Sequence, residues 1–259
     1  MNDLRGSTEE STFAFKDGTM QPWIEHELRT ANLADERLNK RYRLLLDRFS
    51  EKPTLSIPAA CNGWSEIQAA YRFFDNERVE PAQLLQPHID ASVERIRQCP
   101  VVIIAQDTTE LDLTREQEKI GGPLGDENHW GLHAHISLAL TPERLVLGVV
   151  DNFIWARDPE DFHKRAKARF KPIEAKESNR WLEGYRSACA IAARAPETQI
   201  ISISDSEGDV YECFFEAMNM EGVKADWIVR ACQNRCLVGE TAEKLRETVT
   251  VHGEKSNAH

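Results

Sequence analysis

The chain has 259 residues, 41% hydrophobic and 29% charged, with a formal net charge of −11. That is the balance of a soluble globular protein, long enough for one large domain or two modest ones. It excludes a membrane span, since no run approaches the roughly 20 apolar residues required, and it excludes indiscriminate nucleic-acid binding through overall charge.

Residues 1–22 open with MNDLRGSTEESTFAF, which is rich in Ser, Thr and Glu and lacks an apolar signal core, so a flexible lead-in to a cytoplasmic protein is expected. Residues 23–100 read as a small helical domain. In LADERLNKRYRLLLDRF, Leu38, Tyr42, Leu45 and Phe49 recur at spacings of four, three and four, one side of a helix. Asp35 stands where an N-cap or first-turn acid belongs. Pro58 and Asn62-Gly63 break the pattern. A helix is expected to resume from Ser65, with Glu66 and Gln68 in its first turn. Pro81 starts another helix through Ile89, Val93 and Ile96.

Residues 101–259 change character. Val101-Val102-Ile103-Ile104 reads as a strand buried on both faces that ends in Asp107. A polar, Gly-rich stretch follows. HAHISLALT and RLVLGVVDNFIWA, separated by Thr141-Pro142-Glu143, read as an antiparallel hairpin. Then come the helix SNRWLEGYRSACAIAARA, the strand QIISISD ending in Asp205, the helix DVYECFFEAMNM and the strand DWIVRA. The order β-β-β-α-β-α-β implies an α/β fold, helices packed on a mixed sheet. Trp181 and Tyr185 read as core, and Glu177 and Ser178 as a first-turn acid and a cap. Glu110 and Asp112 read as turn residues.

Two apolar strands that each run into an aspartate are the strongest chemical signal, because function in α/β sheets gathers at the carboxyl ends of strands. Neighbouring strands would bring Asp107 and Asp205 together. Two such carboxylates repel, and a hard divalent cation, Mg²⁺ or Mn²⁺, removes the conflict and suits phosphoryl transfer. The blander reading is that each is a turn or cap residue. His129, His133 and His135 invite a zinc reading, but no clear third ligand stands at motif spacing. The six cysteines (Cys61, Cys99, Cys189, Cys213, Cys232 and Cys236) include no Cys-x-x-Cys pair and read as free thiols. Residues 164–176 carry six basic side chains and one acid. This strip of Lys164, Arg165, Lys167, Arg169, Lys171 and Lys176 is a candidate for guiding DNA or a charged loop. Arg230 and Arg235 are weaker candidates for DNA contact.

The stretches LADERLNKR, QAAYRFFDN, AQDTTELD, GLHAHISLAL, KESNRWLEGY and SDSEGDVYE, over residues 23–235, resemble in order the N-terminal two-thirds of a bacterial DDE cut-and-paste transposase of the Tn-five-like group (insertion-sequence family four). The resemblance implies a ribonuclease H-like catalytic domain, a mixed sheet with flanking helices, behind a helical domain that binds transposon-end DNA. It implies that Asp107 and Asp205 are the first two catalytic acids, that Arg72 contacts the transposon end, and that the protein is nucleoid-associated. Arg37, Lys40 and Arg41 are further candidates for phosphate contact, or members of a solvated helix face with intra-helix pairs. Two departures stand out. Ser206 occupies the place where the family has Arg after the second aspartate. The Tyr-x-x-Arg-x-x-x-Glu pattern of the third acid does not occur in residues 206–259. The expectation is therefore a catalytic domain whose C-terminal part is missing, with weak nuclease activity at most. The alternatives are a non-catalytic DNA-binding regulator of transposition and a decayed product. Transposon-end DNA is the expected partner, with a homodimer or a full-length transposase as a possible protein partner.

Overall fold

A computed structural model describes residues 21–115, 119–126, 128–162, 171–237 and 243–249. The chain divides into two compact units, residues 1–87 and 88–259.

The first unit is helical. It holds α1 (Pro22–Glu27), α2 (Glu36–Glu51), α3 (Ile57–Ala60), α4 (Trp64–Phe74) and the start of α5 (Pro81–Ile96). Asp35 caps α2, its carboxylate accepting from the Arg37 amide at 2.9 Å. Leu38, Tyr42, Leu45 and Phe49 share the inward face of α2, where Leu45 is fully covered. They pack on Ala70 and Phe73 of α4 and on Leu84. Arg48 ties α2 to α4 through Glu66 at 3.2 Å. The N-cap of α4 is Gly63, at φ +96 with no capping side chain. Glu66 reaches back to accept from the Asn62 amide, one residue before the cap, and a glycine supplies the backbone turn that L-residues rarely adopt.

The second unit is built on a mixed sheet of β1 (Val101–Asp112), β2 (Gly122–Pro123), β3 (Trp130–Leu140), β4 (Val146–Trp155), β5 (Gln199–Ser204) and β6 (Asp226–Val229). β1 pairs antiparallel with β3 and parallel with β5. β4 lies antiparallel on the far side of β3, and β6 lies parallel beyond β5. The spatial order is therefore β4-β3-β1-β5-β6, with the two-residue β2 also paired to β3. Among the described residues, the unit also holds the rest of α5 and the helices α6 (Pro159–Phe162), α7 (Asn179–Arg194) and α8 (Tyr211–Asn219). Ala188, Ile191 and Ala192 of α7 pack with Val102, Ile104 and Ile200 of the sheet and with Val93 and Ile96 of α5. Arg186 joins α7 to α8 by a two-pronged pair with Glu216.

The mixed α/β architecture matches the expectation from the apolar runs. β1 differs from it in two respects. The strand continues past Asp107 to Asp112, and only alternate residues are fully buried: Val102, Ile104 and Gln106, with Val101, Ile103 and Ala105 partly covered. The apolar run predicts two-sided burial, whereas one face alone is sealed. β1 outlasts β5 because β3 goes on pairing with it as far as Asp112.

Candidate functional site

In the β1–β5 pairing each partner lies 98 positions on, from Val101↔Gln199 to Ala105↔Ile203. The same offset sets Asp205 opposite Asp107, two residues beyond the last paired position. Strand alternation puts both on the face opposite Gln106 and Ser202, and both are exposed. Asp107 accepts from the Thr108 amide through Oδ1 at 2.8 Å. Asp205 caps the 3-10 turn Ser206–Gly208 and accepts from the Glu207 amide at 2.8 Å. Its Oδ2 is 3.4 Å from Arg230.

On the other face lies a buried polar chain. Arg180, at the start of α7, donates from Nε to Thr108 Oγ1 at 2.9 Å and from Nη2 to Glu207 Oε2 at 2.7 Å. Its guanidinium lies over the rings of Trp155 and Trp181. The Thr108 hydroxyl accepts from Arg180 and lies 2.9 Å from His135 Nδ1, and because Gln106 turns its amide oxygen to the other ring nitrogen, Nδ1 is the nitrogen that accepts from Thr108. That leaves the His135 proton on Nε2, facing Gln106 Oε1 at 3.2 Å. Gln106 Nε2 then donates to Ser202 Oγ at 2.7 Å. Burial and the Arg180 charge push His135 down from 6.5 to about 4, against a weaker pull from Asp107, so the ring is neutral near pH 7. A Cβ at Gly184 would stand 2.2 Å from Gln106 Oε1, so α7 approaches the chain closely enough that any larger residue there displaces the Gln106 amide.

The three histidines have separate occupations. His135 belongs to the chain just described, His133 stacks on Trp155, and His129 pairs with Asp126 at 2.9 Å. Among the described residues, no group of three or more His, Cys, Asp or Glu is placed to hold a metal ion together. The expected helix signals at Glu177 and Ser178 are corrected. Ser178 is the N-cap of α7 but makes no side-chain cap, and Glu177 grips Arg157 through both carboxylate oxygens at 2.6 and 2.9 Å. Trp181 and Tyr185 are buried, 3% and 4% exposed.

The candidate DNA contacts differ in their surroundings. Arg72 is exposed on α4, on the outward face that also carries Trp64, Gln68 and Tyr71. Arg37 pairs with Asp35 at 3.3 Å and Lys40 with Glu36 at 3.8 Å, while Arg41 is half-buried. Arg230 is exposed beside Asp205 and Ser206. Arg235 instead grips the buried Asp209. Burial raises the Asp209 carboxyl, but the Gln233 and Cys232 amides and Arg235 together hold it below its usual range. Lys164, Arg165, Lys167 and Arg169 lie outside the described residues. Lys171 and Lys176 are half-buried.

Arg180, Gln106 and Ser202 were not singled out by sequence reasoning. Gln106 did carry a signal, being the one amide at the end of an apolar run.

No helix among the described residues is long and apolar enough to cross a membrane. Residues 20–79 match the family model described as transposase DNA-binding. The match spans α1 to α4. It supports a transposase-like, DNA-binding role for the chain, with DNA as its partner.

Proposed function

We propose that this chain is a transposase-type protein. In this reading its helical unit grips transposon-end DNA, and Asp107 and Asp205 jointly hold one divalent cation for cleavage and strand transfer on a ribonuclease H-like sheet. The observation that supports the reading is the shared register, which, continued two residues past Ala105↔Ile203, matches Asp107 of β1 with Asp205, just beyond the end of the parallel neighbour β5. The strand order β4-β3-β1-β5-β6, with its antiparallel and parallel halves, supports the fold assignment.

The donor set fits a hard cation. Each aspartate spends one oxygen on a backbone amide. Among the described residues Arg230 is the cation paired with Asp205, and its long side chain is 71% exposed, so displacing it costs little. Bound there, Mg²⁺ or Mn²⁺ supplies charge for an attacking or leaving phosphate oxygen. Asp107 and Asp205 bind and orient. Arg72, Arg37, Lys40, Arg41 and Arg230 offer cations to phosphates, and binding through them weakens steeply with salt.

A second reading is favoured by one observation: two carboxylates, and no third ligand among the described residues, gather at the site. It is a DNA-binding regulator that occupies ends without cutting them. The two separate in an assay of end-containing DNA and supercoiled plasmid with Mn²⁺. Nicking that disappears in Asp107→Ala, with retention of DNA unchanged, supports the enzyme. Retention without nicking in the unaltered chain supports the regulator, and nicking that survives Asp107→Ala removes the carboxylates from the chemistry.

A further inference from the structure

The backbone ladder between β1 and β5 ends at Ala105↔Ile203, short of both aspartates. Direct β1–β5 bonding therefore stops before the two carboxylates, while β3 still pairs with β1 at Asp107 and β6 with β5 as far as Ser204. The amide of Thr108 orients Asp107, and the amide of Glu207 orients Asp205. The side chains of those same two residues are held by one guanidinium, that of Arg180. Arg180 is itself anchored. A third bond runs from Nη1 to the Glu177 carbonyl at 3.0 Å, two indole rings flank the group, and its side chain is 12% exposed. Glu207 is 63% exposed, so the fixed partner of this pair is the arginine.

We propose that Arg180 is a positioning residue that fixes the separation and aim of Asp107 and Asp205 by clamping Thr108 and Glu207. By engaging Glu207 it also keeps that carboxylate turned away from the cation. The proposal rests on the two-aspartate reading above. A planar fork with donors in fixed directions holds two acceptors at once, which an ammonium does less well. Groups that orient metal ligands typically change affinity by about 10–100-fold when removed.

The probe is Mn²⁺ added to the full chain. Free ion is counted by electron paramagnetic resonance, the bound spectrum is recorded, and thermal unfolding is followed alongside. The unaltered chain is expected to bind, and Asp107→Asn to lose binding. Arg180→Met is expected to weaken binding at least tenfold and broaden the bound signal, with Arg180→Lys recovering part of the affinity. Thr108→Val, which releases the clamp on one side only and leaves α7 unaltered, is expected to weaken binding by a smaller factor and serves if Arg180→Met does not fold. If Arg180→Met folds and binds Mn²⁺ with unaltered affinity and lineshape, or if Thr108→Val does so where Arg180→Met cannot be made, the clamp is overturned while the carboxylate pair stands. If the unaltered chain binds no better than Asp107→Asn, the pair is overturned and the clamp with it.

Discussion

The helical unit and the tip of the sheet handle their polar groups in opposite ways. In the helical unit, Leu33, Leu45, Ala70 and Phe73 form an apolar core, and of the DNA candidates there Arg37, Lys40 and Arg72 are exposed and Arg41 is half-buried. At the sheet tip, Gln106, His135 and Ser202 are buried in a bonded chain directly beneath exposed carboxylates. The first arrangement makes surface residues independent of the fold. The second makes the exposed groups depend on what is bonded below them, because a buried polar group that loses its partner is strongly penalised.

The largest expected effect tests the apolar side of this contrast. Phe73→Ala empties a site that is 1% exposed and is expected to destabilise the helical unit by about 3–5 kcal/mol, read by denaturant unfolding. A loss below 1 kcal/mol would mean that this core is not what holds the unit together. Next comes acid. The folded His135 titrates near 4 and the unfolded one near 6.5, so its contribution to stability is fully present above pH 6.5. It is lost as pH falls toward 4, by about 3 kcal/mol. His135→Gln should flatten that slope in unfolding measured between pH 7 and pH 4, and an unchanged slope would count against a buried neutral imidazole.

Gly184→Ala pushes a methyl into Gln106 and is expected to destabilise by about 1–3 kcal/mol, visible as a lower Tm with DNA retention intact. Arg72→Ala should act the other way round, with Tm unchanged and affinity for DNA several-fold lower in a low-salt titration. A Tm shift without a binding change would show that Arg72 serves the fold. The smallest effect is expected from Lys40→Ala, whose 3.8 Å pair with Glu36 is exposed on both sides and should move stability by less than about 0.5 kcal/mol.

What was legible in the sequence follows from the range of each interaction. The face of α2 and the cap at Asp35 are written within a few consecutive residues, so periodicity and residue type reveal them. The α/β order was legible for the same reason. The alternation within Val101–Ala105 was not, since which face of an apolar run is sealed depends on what packs there. Glu177 was read as a local helix signal, but its partner is Arg157, 20 residues away. Arg180 was unreadable for a stronger reason. Its acceptors are separated from it by 72 and 27 positions, and in sequence it is an ordinary polar residue in the first turn of a helix. Arg37 and Lys40, candidates for phosphate, also have short-range ion pairs with acids, and a single sequence does not rank those two uses.

From Arg180 through Thr108, His135 and Gln106 to Ser202, the donors follow one another in one direction when the His135 proton sits on Nε2, the nitrogen that faces the Gln106 amide oxygen. One sealed imidazole is thereby linked, through a single hydroxyl, to a guanidinium near the surface. Whatever pulls that guanidinium aside, a phosphate or a shifted turn, changes what the Thr108 hydroxyl meets, one hydrogen bond from the ring. The ¹⁵N shifts of His135 are a reporter, wired into the sheet, of events at its rim.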